Sequence, residues 1–501
     1  MFPKYQLAFY IFLISLFFSY NGYGQDDSFI NLKDQLQKSK RDTSRVQILL
    51  ELCKKVENSD EQLYYSNRAI SLSKELNYPI GVALAEIKQS EAYIDRGEYA
   101  DALNSLEYSL EYFQSWKEHE GYAKALLNMG RSYDFQNRFD TAFSYYDSAI
   151  YYAFQNGHME ILAESHYFRA GLYNAIGENL EAEGSILQAF AHYDSLNSKE
   201  NLWYVLNVMG VIYDDLGNYP KALNSYMQAL EIVEELKEVD GQIMILNNIA
   251  TFYYQVGKLD ESLKYYDLAL GQTVGRIEDD ANWYLFGNKA QIHAELGDTV
   301  GALVNFRKAL ELSKDLKDEC EQVYILEGIG FIMAQKNELD SAKLCFNLAI
   351  DLSKKCNNQL VMTTTKRGLG ELLVKEGNYK IAERLFKESL TLSEKFQFPK
   401  EKEKASFQLY LLSKRRKRNN EALRFFEMYS ATKDSLFGKE TNMAISRISS
   451  EFEFKKELQR MEYSRQADEL RMKAELKKEE SNKNVLLLVL VLTVLLAATL
   501  V

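Results

Sequence analysis

Three asparagines recur in phase along this chain of 501 residues: Asn128, Asn248 and Asn288 stand whole multiples of forty residues apart. A carboxamide donates and accepts together, so amides recurring in phase are candidates for binding. Ordinary polar surface is the alternative reading of the same residues. Lys124 and Arg131 flank the first asparagine, and Tyr204, Asp214 and Asp215 fall between the first and second. Such a set could add charge recognition at either end. The one dense basic run, Lys414-Arg415-Arg416-Lys417-Arg418, has two readings, a solvated turn or a contact with anionic lipid headgroups.

Catalytic constellations are missing from the sequence. No G-x-x-x-x-G-K-[ST] phosphate loop occurs, and His119-Glu120 opens like a zinc-protease helix but meets Ala123 where the second histidine should stand. The five histidines, His119, His158, His166, His192 and His293, are dispersed. The four cysteines, Cys53, Cys320, Cys345 and Cys356, form no C-x-x-C pair. Cys320 and Cys356 fall near adjacent repeat ends, where a disulfide would be within reach; the reading preferred from sequence is four buried, inert thiols. A formal charge of −12 gives no electrostatic footprint for nucleic acid. The sequence therefore predicts a binding protein with no cofactor and no metal, not an enzyme.

What would position the candidate residues is a strict repeat. Stepping by forty from Gly210 gives Ser90, Gly130, Ala170, Ala250, Ala290, Gly330 and Gly370, all small. Three residues on stand Tyr93, Tyr133, Tyr173, Tyr213 and Tyr253, then His293, which this phase predicts to be a packed core residue. Seven residues on come Gly97, Asn137, Gly177, Gly217, Gly257, Gly297, Asn337 and Gly377, the types that end a helix in the left-handed conformation. Alanine then recurs at Ala142, Ala182, Ala222, Ala302, Ala342, Ala382 and Ala422, and four residues later a bulky partner such as Tyr146, Tyr226, Phe306, Phe346, Phe386 or Phe426. Small residues let two helices meet closely, and the aromatic one turn on fills the space between neighbouring hairpins. With only 4 Pro, the composition suits helices throughout. The prediction is all-α: a right-handed α-solenoid of about ten helical hairpins.

This pattern resembles the tetratricopeptide repeat in a forty-residue form, over about residues 43–437. The resemblance implies a concave groove lined by the first helix of each hairpin, open to a protein or peptide. In peptide-binding relatives, groove asparagines hold the ligand backbone; this assigns Asn128, Asn248 and Asn288 to the groove. Tyr204, Asp214 and Asp215 would edge it, with Lys124 and Arg131 toward its N-terminal end.

Both ends of the chain concern membranes. Lys4, the apolar stretch Leu7 to Phe18 and the small residues before Gln25 predict a signal peptide over 1–24. Residues 25–42 form a lead-in, 43–437 the solenoid, and 438–483 a charged helical stalk in which Ile445, Ile448 and Phe452 begin a seam that Lys455 and Gln459 break. A homodimer through that stalk and a single solvated helix are both open. Residues 484–501 are expected to be a transmembrane helix, about 25 Å long over Val485 to Val501, against a hydrocarbon core of about 30 Å. The order Tyr429-Ser-Ala-Thr-Lys-Asp-Ser-Leu-Phe437, charged helix, apolar span resembles the periplasmic input half of bacterial tetratricopeptide membrane sensors, in which a kinase or regulator domain follows the span. The sequence given stops before such a domain, so the resemblance implies the sensory part of a signal-transduction protein at the inner membrane, its repeats facing the periplasm. A non-signalling envelope scaffold is the alternative.

Overall fold

A computed structural model describes residues 27–461 apart from 57, 274–282, 315–321, 357, 439–440, 442, 457 and 459–460. Among the described residues of the first compact unit, Met1–Thr441, every long element is helical. A leading helix α1 (Asp27–Lys38) precedes ten hairpins. These pair α2 (Thr43–Lys55) with α3 (Ser59–Glu75), α4 (Pro79–Asp95) with α5 (Tyr99–Trp116), and α6 (His119–Phe135) with α7 (Phe139–Asn156). Next come α8 (Met159–Ile176) with α9 (Asn179–Ser195), α10 (Lys199–Asp215) with α11 (Tyr219–Leu236), and α12 (Val239–Gln255) with α13 (Leu259–Thr273). The last four hairpins are α14 (Trp283–Glu295) with α15 (Thr299–Lys314), α16 (Gln322–Gln335) with α17 (Leu339–Lys355), α18 (Gln359–Lys375) with α19 (Tyr379–Lys395), and α20 (Pro399–Arg415) with α21 (Asn419–Phe437).

Each expected phase has a structural counterpart. Gly97, Gly177, Gly217, Gly257, Gly297 and Gly377 all take positive φ, as do Asn137 and Asn337. Lys417 takes the same conformation in the last hairpin, with φ of 56°, where glycine is missing. The small residues meet the aromatics directly. A Cβ built on Gly130 would lie 2.6 Å from the Tyr146 ring, and one on Gly370 2.6 Å from Phe386. Ala222 and Tyr226 are both buried. Phe426 departs from the row and is 43% exposed, because among the described residues no further hairpin stacks on the last one to cover it.

First and second helices differ in burial. The first helices pack against their own partner and against the first helix of the next unit, so α8 buries thirteen of its residues. The second helices keep an exposed stripe, as Tyr151, Leu180, Val300, Val304 and Leu344 show. The lead-in also folds: α1 sets Phe29, Leu32 and Leu36 against the first hairpin's core of Val46, Leu49, Leu52, Tyr65 and Ala69.

Hairpins far apart in sequence also touch. A Cβ on Gly217 would lie 2.9 Å from Leu436 Cδ2, and one on Gly177 3.8 Å from the Phe396 carbonyl oxygen. Lys400 Nζ stands 5.0 Å from the centre of the Tyr254 ring. Phe396, Phe398 and Leu436 are all buried.

Two expectations need correction. Cys356 is disulfide-bonded, while Cys53 and Cys345 are free thiols, so four inert thiols is not the arrangement; Cys320 lies outside the described residues. His293 is not packed in the core: 22% of its side chain is exposed and Nδ1 lies 2.9 Å from Asp298 Oδ2. The loop that follows α14 brings Asp298 within reach, and pairing with a partly exposed carboxylate suits an imidazole better than apolar burial. The expected signal peptide, 1–24, and transmembrane helix, 484–501, lie outside the described residues. Among the described residues no helix is long and apolar enough to cross a membrane. The second compact unit, Asn442–Val501, is helical over residues 443–456.

Candidate functional site

The first helices carry an unusual load of buried polar groups. Glu91, Asn128, Arg131, Glu164, Asn207, Asn247, Asn248, Glu327, Arg367 and Glu401 are all less than a tenth exposed. Removing such groups from water is costly unless each finds a partner. Their partners come mainly from the neighbouring first helix, through a recurring offset of one repeat plus one residue. Asn248 Nδ2 donates to Asn207 Oδ1 at 2.7 Å, and Asn288 Nδ2 to Asn247 Oδ1 at 3.1 Å, each across 41 residues. Asn174 Nδ2 donates to Asp215 Oδ2 at 2.7 Å, Gln255 Nε2 to Asp214 Oδ2 at 2.7 Å, and Tyr254 Oη to Glu295 Oε1 at 2.6 Å, again 41 apart. A forty-residue period brings equivalent positions of neighbouring first helices side by side, and the tilt between hairpins shifts the match by one residue.

The predicted residues fall into three groups. Lys124, Asn128 and Arg131 gather around Glu91 on α4 and α6. Lys124 Nζ bonds Glu164 at 2.6 Å and lies 3.9 Å from Glu91, which also takes Lys88 at 2.7 Å. Asn128 accepts from Arg131 at 3.2 Å, and the Arg131 guanidinium lies 4.9 Å from the centre of the Phe168 ring. Burial alone would raise the Glu91 carboxyl, but Lys88 and Lys124 outweigh it and hold it at about 2. Burial pushes Asp95, 3.8 Å from Arg131, up to about 7.

Asn248 and Asn288 belong to the second group, an amide ladder that runs Asn207, Asn248, Asn247, Asn288 across α10, α12 and α14. They spend their donors on one another, and only Asn288, at the ladder's end, is partly exposed.

Asp214 and Asp215 make the third group at the end of α10. Burial, with Asp215 alongside, lifts Asp214 to about 8, while Lys400 opposes the rise. Lys400 is itself pushed down to about 7 by burial and by Lys404. Tyr204 does not edge this group: it is buried, with its ring centre 3.5 Å from that of Trp203.

Residues not singled out from sequence complete the face. Arg367 donates through Nε to Glu401 at 3.1 Å and pairs with Glu371 at 2.8 Å. Glu327 accepts from Thr364 and, at 3.3 Å, from Thr365, and burial raises it to about 7. Polar residues paired 41 apart were the signal that could have found Asn207, Asn247, Gln255 and Glu295. Nothing in the spacing marks Arg367 and Glu401, which lie 34 apart.

Helical hairpins stacked through small-to-aromatic contacts, with polar groups shared between successive first helices, define an α-solenoid. Residues 81–150, 204–234 and 243–270 match family models described as tetratricopeptide repeat. These stretches carry the tetratricopeptide repeat. No curated protein matches it. Among solved structures it is similar to a Rap protein complexed with competence and sporulation factor, at 15% identity over 71% of this chain and 99% of that one, TM-score 0.54. The apo form of the quorum sensor NprR from B. thuringiensis matches at 17% identity over 67% and 99% of the two chains, TM-score 0.52. Aspartyl phosphate phosphatase F from Bacillus subtilis matches at 13% identity over 76% and 97%, TM-score 0.50. At these identities the likeness is one of fold.

Proposed function

We propose that the chain is an exported, membrane-tethered recognition module that binds a protein or peptide on its first-helix face, without catalysis of its own. In this reading it is the sensory part of a transmembrane signal-transduction protein at the bacterial inner membrane, its repeats facing the periplasm. The amide ladder carries the proposal. Packing alone would be served as well by apolar residues, which need no partners when buried. A chain of amides, by contrast, can break one internal bond and remake it with a ligand's backbone amide, and its partly exposed end at Asn288 is where an extended strand would join. Two neighbours in fold are described as a quorum sensor and as a Rap protein complexed with competence and sporulation factor, which suits recognition of a small signal. The disulfide at Cys356 suits an oxidising compartment.

Peptides selected against the full-length chain by display should bind in solution, and Asn288→Ala should weaken them about tenfold, the worth of one or two backbone hydrogen bonds. Selected peptides that bind Asn288→Ala and Asn248→Ala as well as the parent would remove the ladder from the site. A reporter fused at residue 480 tests the topology, and cytoplasmic reporter activity there would end the export reading. Hydrogen exchange over residues 443–456 that changes on peptide binding supports signalling, whereas binding with no change there favours the scaffold.

A further inference from the structure

The ninth and tenth hairpins share a cavity of about 700 Å³ that plays no part in the first-helix lattice. Six cations line it: Lys366 on α18, Lys380, Arg384 and Lys387 on α19, and Arg416 and Arg418 from the turn between α20 and α21. Only two carboxylates, Glu383 and Glu388, line it with them, leaving four positive charges in excess within a chain of net charge −12. In the basic run of the last turn Lys414, Arg415 and Lys417 are exposed, while Arg416 and Arg418 are partly buried. Two of its arginines are folded back onto the preceding hairpin.

The carboxylates are already oversubscribed. Glu383 accepts from Lys387 at 2.8 Å, from Arg418 at 3.0 Å and from Arg416. Glu388 takes Lys366 at 2.5 Å and has Arg384 at 3.7 Å. Lys380 has no carboxylate partner among the described residues, and Arg384 keeps 69% of its side chain exposed. Like charges held together repel unless an anion joins them, and three arginine forks beside three ammonium groups match the geometry and charge of phosphate oxygens. Met362 and Leu392 add apolar wall to the cavity, and its volume is that of an ordinary small-ligand site.

We propose that this cavity binds a phosphate-bearing anion, either a free organic phosphate or the phosphate of a lipid headgroup, independently of any ligand on the first-helix face. The full-length chain in neutral detergent is titrated calorimetrically with pyrophosphate, beside Lys380→Glu/Arg384→Glu and the control Arg307→Glu, an exposed cation on α15. Both cavity positions are exposed, so the double variant should keep its fold, as circular dichroism will show. Pyrophosphate binding that falls by more than about tenfold in the double variant and survives in Arg307→Glu establishes a soluble phosphate site. In the second arm, salt-sensitive flotation with phosphatidylglycerol vesicles beyond that seen with phosphatidylcholine, lost in the double variant, assigns a headgroup instead. Equal binding by parent and double variant, or no binding in either arm, overturns the proposal.

Discussion

Gly210 offers the sharpest test of how the hairpins are held. It sits inside α10, where alanine would ordinarily stabilise a helix by about 0.5–1 kcal/mol. Here the added Cβ would fall 2.4 Å from Tyr226 Cε1 and 2.5 Å from Cδ1. Tyr226 is 3% exposed and cannot swing aside without displacing its neighbours. Overpacking of that kind costs about 1–3 kcal/mol, so Gly210→Ala should lose about 1–2 kcal/mol net. Gly184, mid-helix in α9, has nothing within 4 Å of a built Cβ. Gly184→Ala should therefore gain about 0.5–1 kcal/mol. Stacked hairpins need not unfold in one step, so urea midpoints should be read together with hydrogen exchange at α10 and α11. The two variants must move in opposite directions, with faster exchange around Gly210→Ala alone. If Gly210→Ala matches or exceeds the parent, close contact between small residue and aromatic is not what spaces the helices.

Three further outcomes are expected. Asp214 has a carboxyl raised in the folded state, so its ionisation opposes folding increasingly as pH climbs from the unfolded value near 3.8 toward about 8; Asp214→Asn should be more stable than the parent at neutral pH and equal to it near pH 3, measured by urea unfolding across that range. Glu91 is the opposite case: held at about 2, it contributes stability above its unfolded value of 4.5 that is lost as pH falls through about 2. Glu91→Gln should therefore cost about 3 kcal/mol at pH 7 by leaving Lys88 and Lys124 short of a counter-charge, and a variant as stable as the parent would discount that cluster. Thiol titration of the denatured, unreduced chain should report two reactive cysteines and rise to four after reduction, whereas four from the outset would deny the Cys356 disulfide.

The architecture was legible because one sterically necessary pairing repeats without a gap. Small residues at Gly130, Gly210, Gly330 and Gly370 receive aromatics at Tyr146, Tyr226, Phe346 and Phe386, and the turn positions carry the residue types that tolerate positive φ. The second set of turns escaped notice because unlike residues serve it: Asn77, Lys117, Gly157, Asn197, Lys237 and Gln397 all adopt left-handed backbone there. No single residue type marks that phase, since context forces the conformation on whatever stands there. The site was legible only in part. Asn128, Asn248 and Asn288 lie on first helices, but a lone phase cannot tell a free amide from one bonded to its counterpart a repeat away. Tyr204 was expected to edge the groove by its phase, yet it is buried against Trp203. Arg367 and Glu401 meet by tertiary packing that no fixed spacing announces.

The contacts joining Gly177 and Gly217 to Phe396 and Leu436, with Lys400 over Tyr254, have a consequence for how the molecule comes apart. In a linear array each unit answers only to its two neighbours, and melting can creep inward from a free end. Here the ninth and tenth hairpins also lean on the fourth, fifth and sixth, so fraying at that terminus must break contacts near the middle as well. Damage at one end should thus be felt some two hundred residues away, and the strand of repeats would open as a clasp does, at a single stroke.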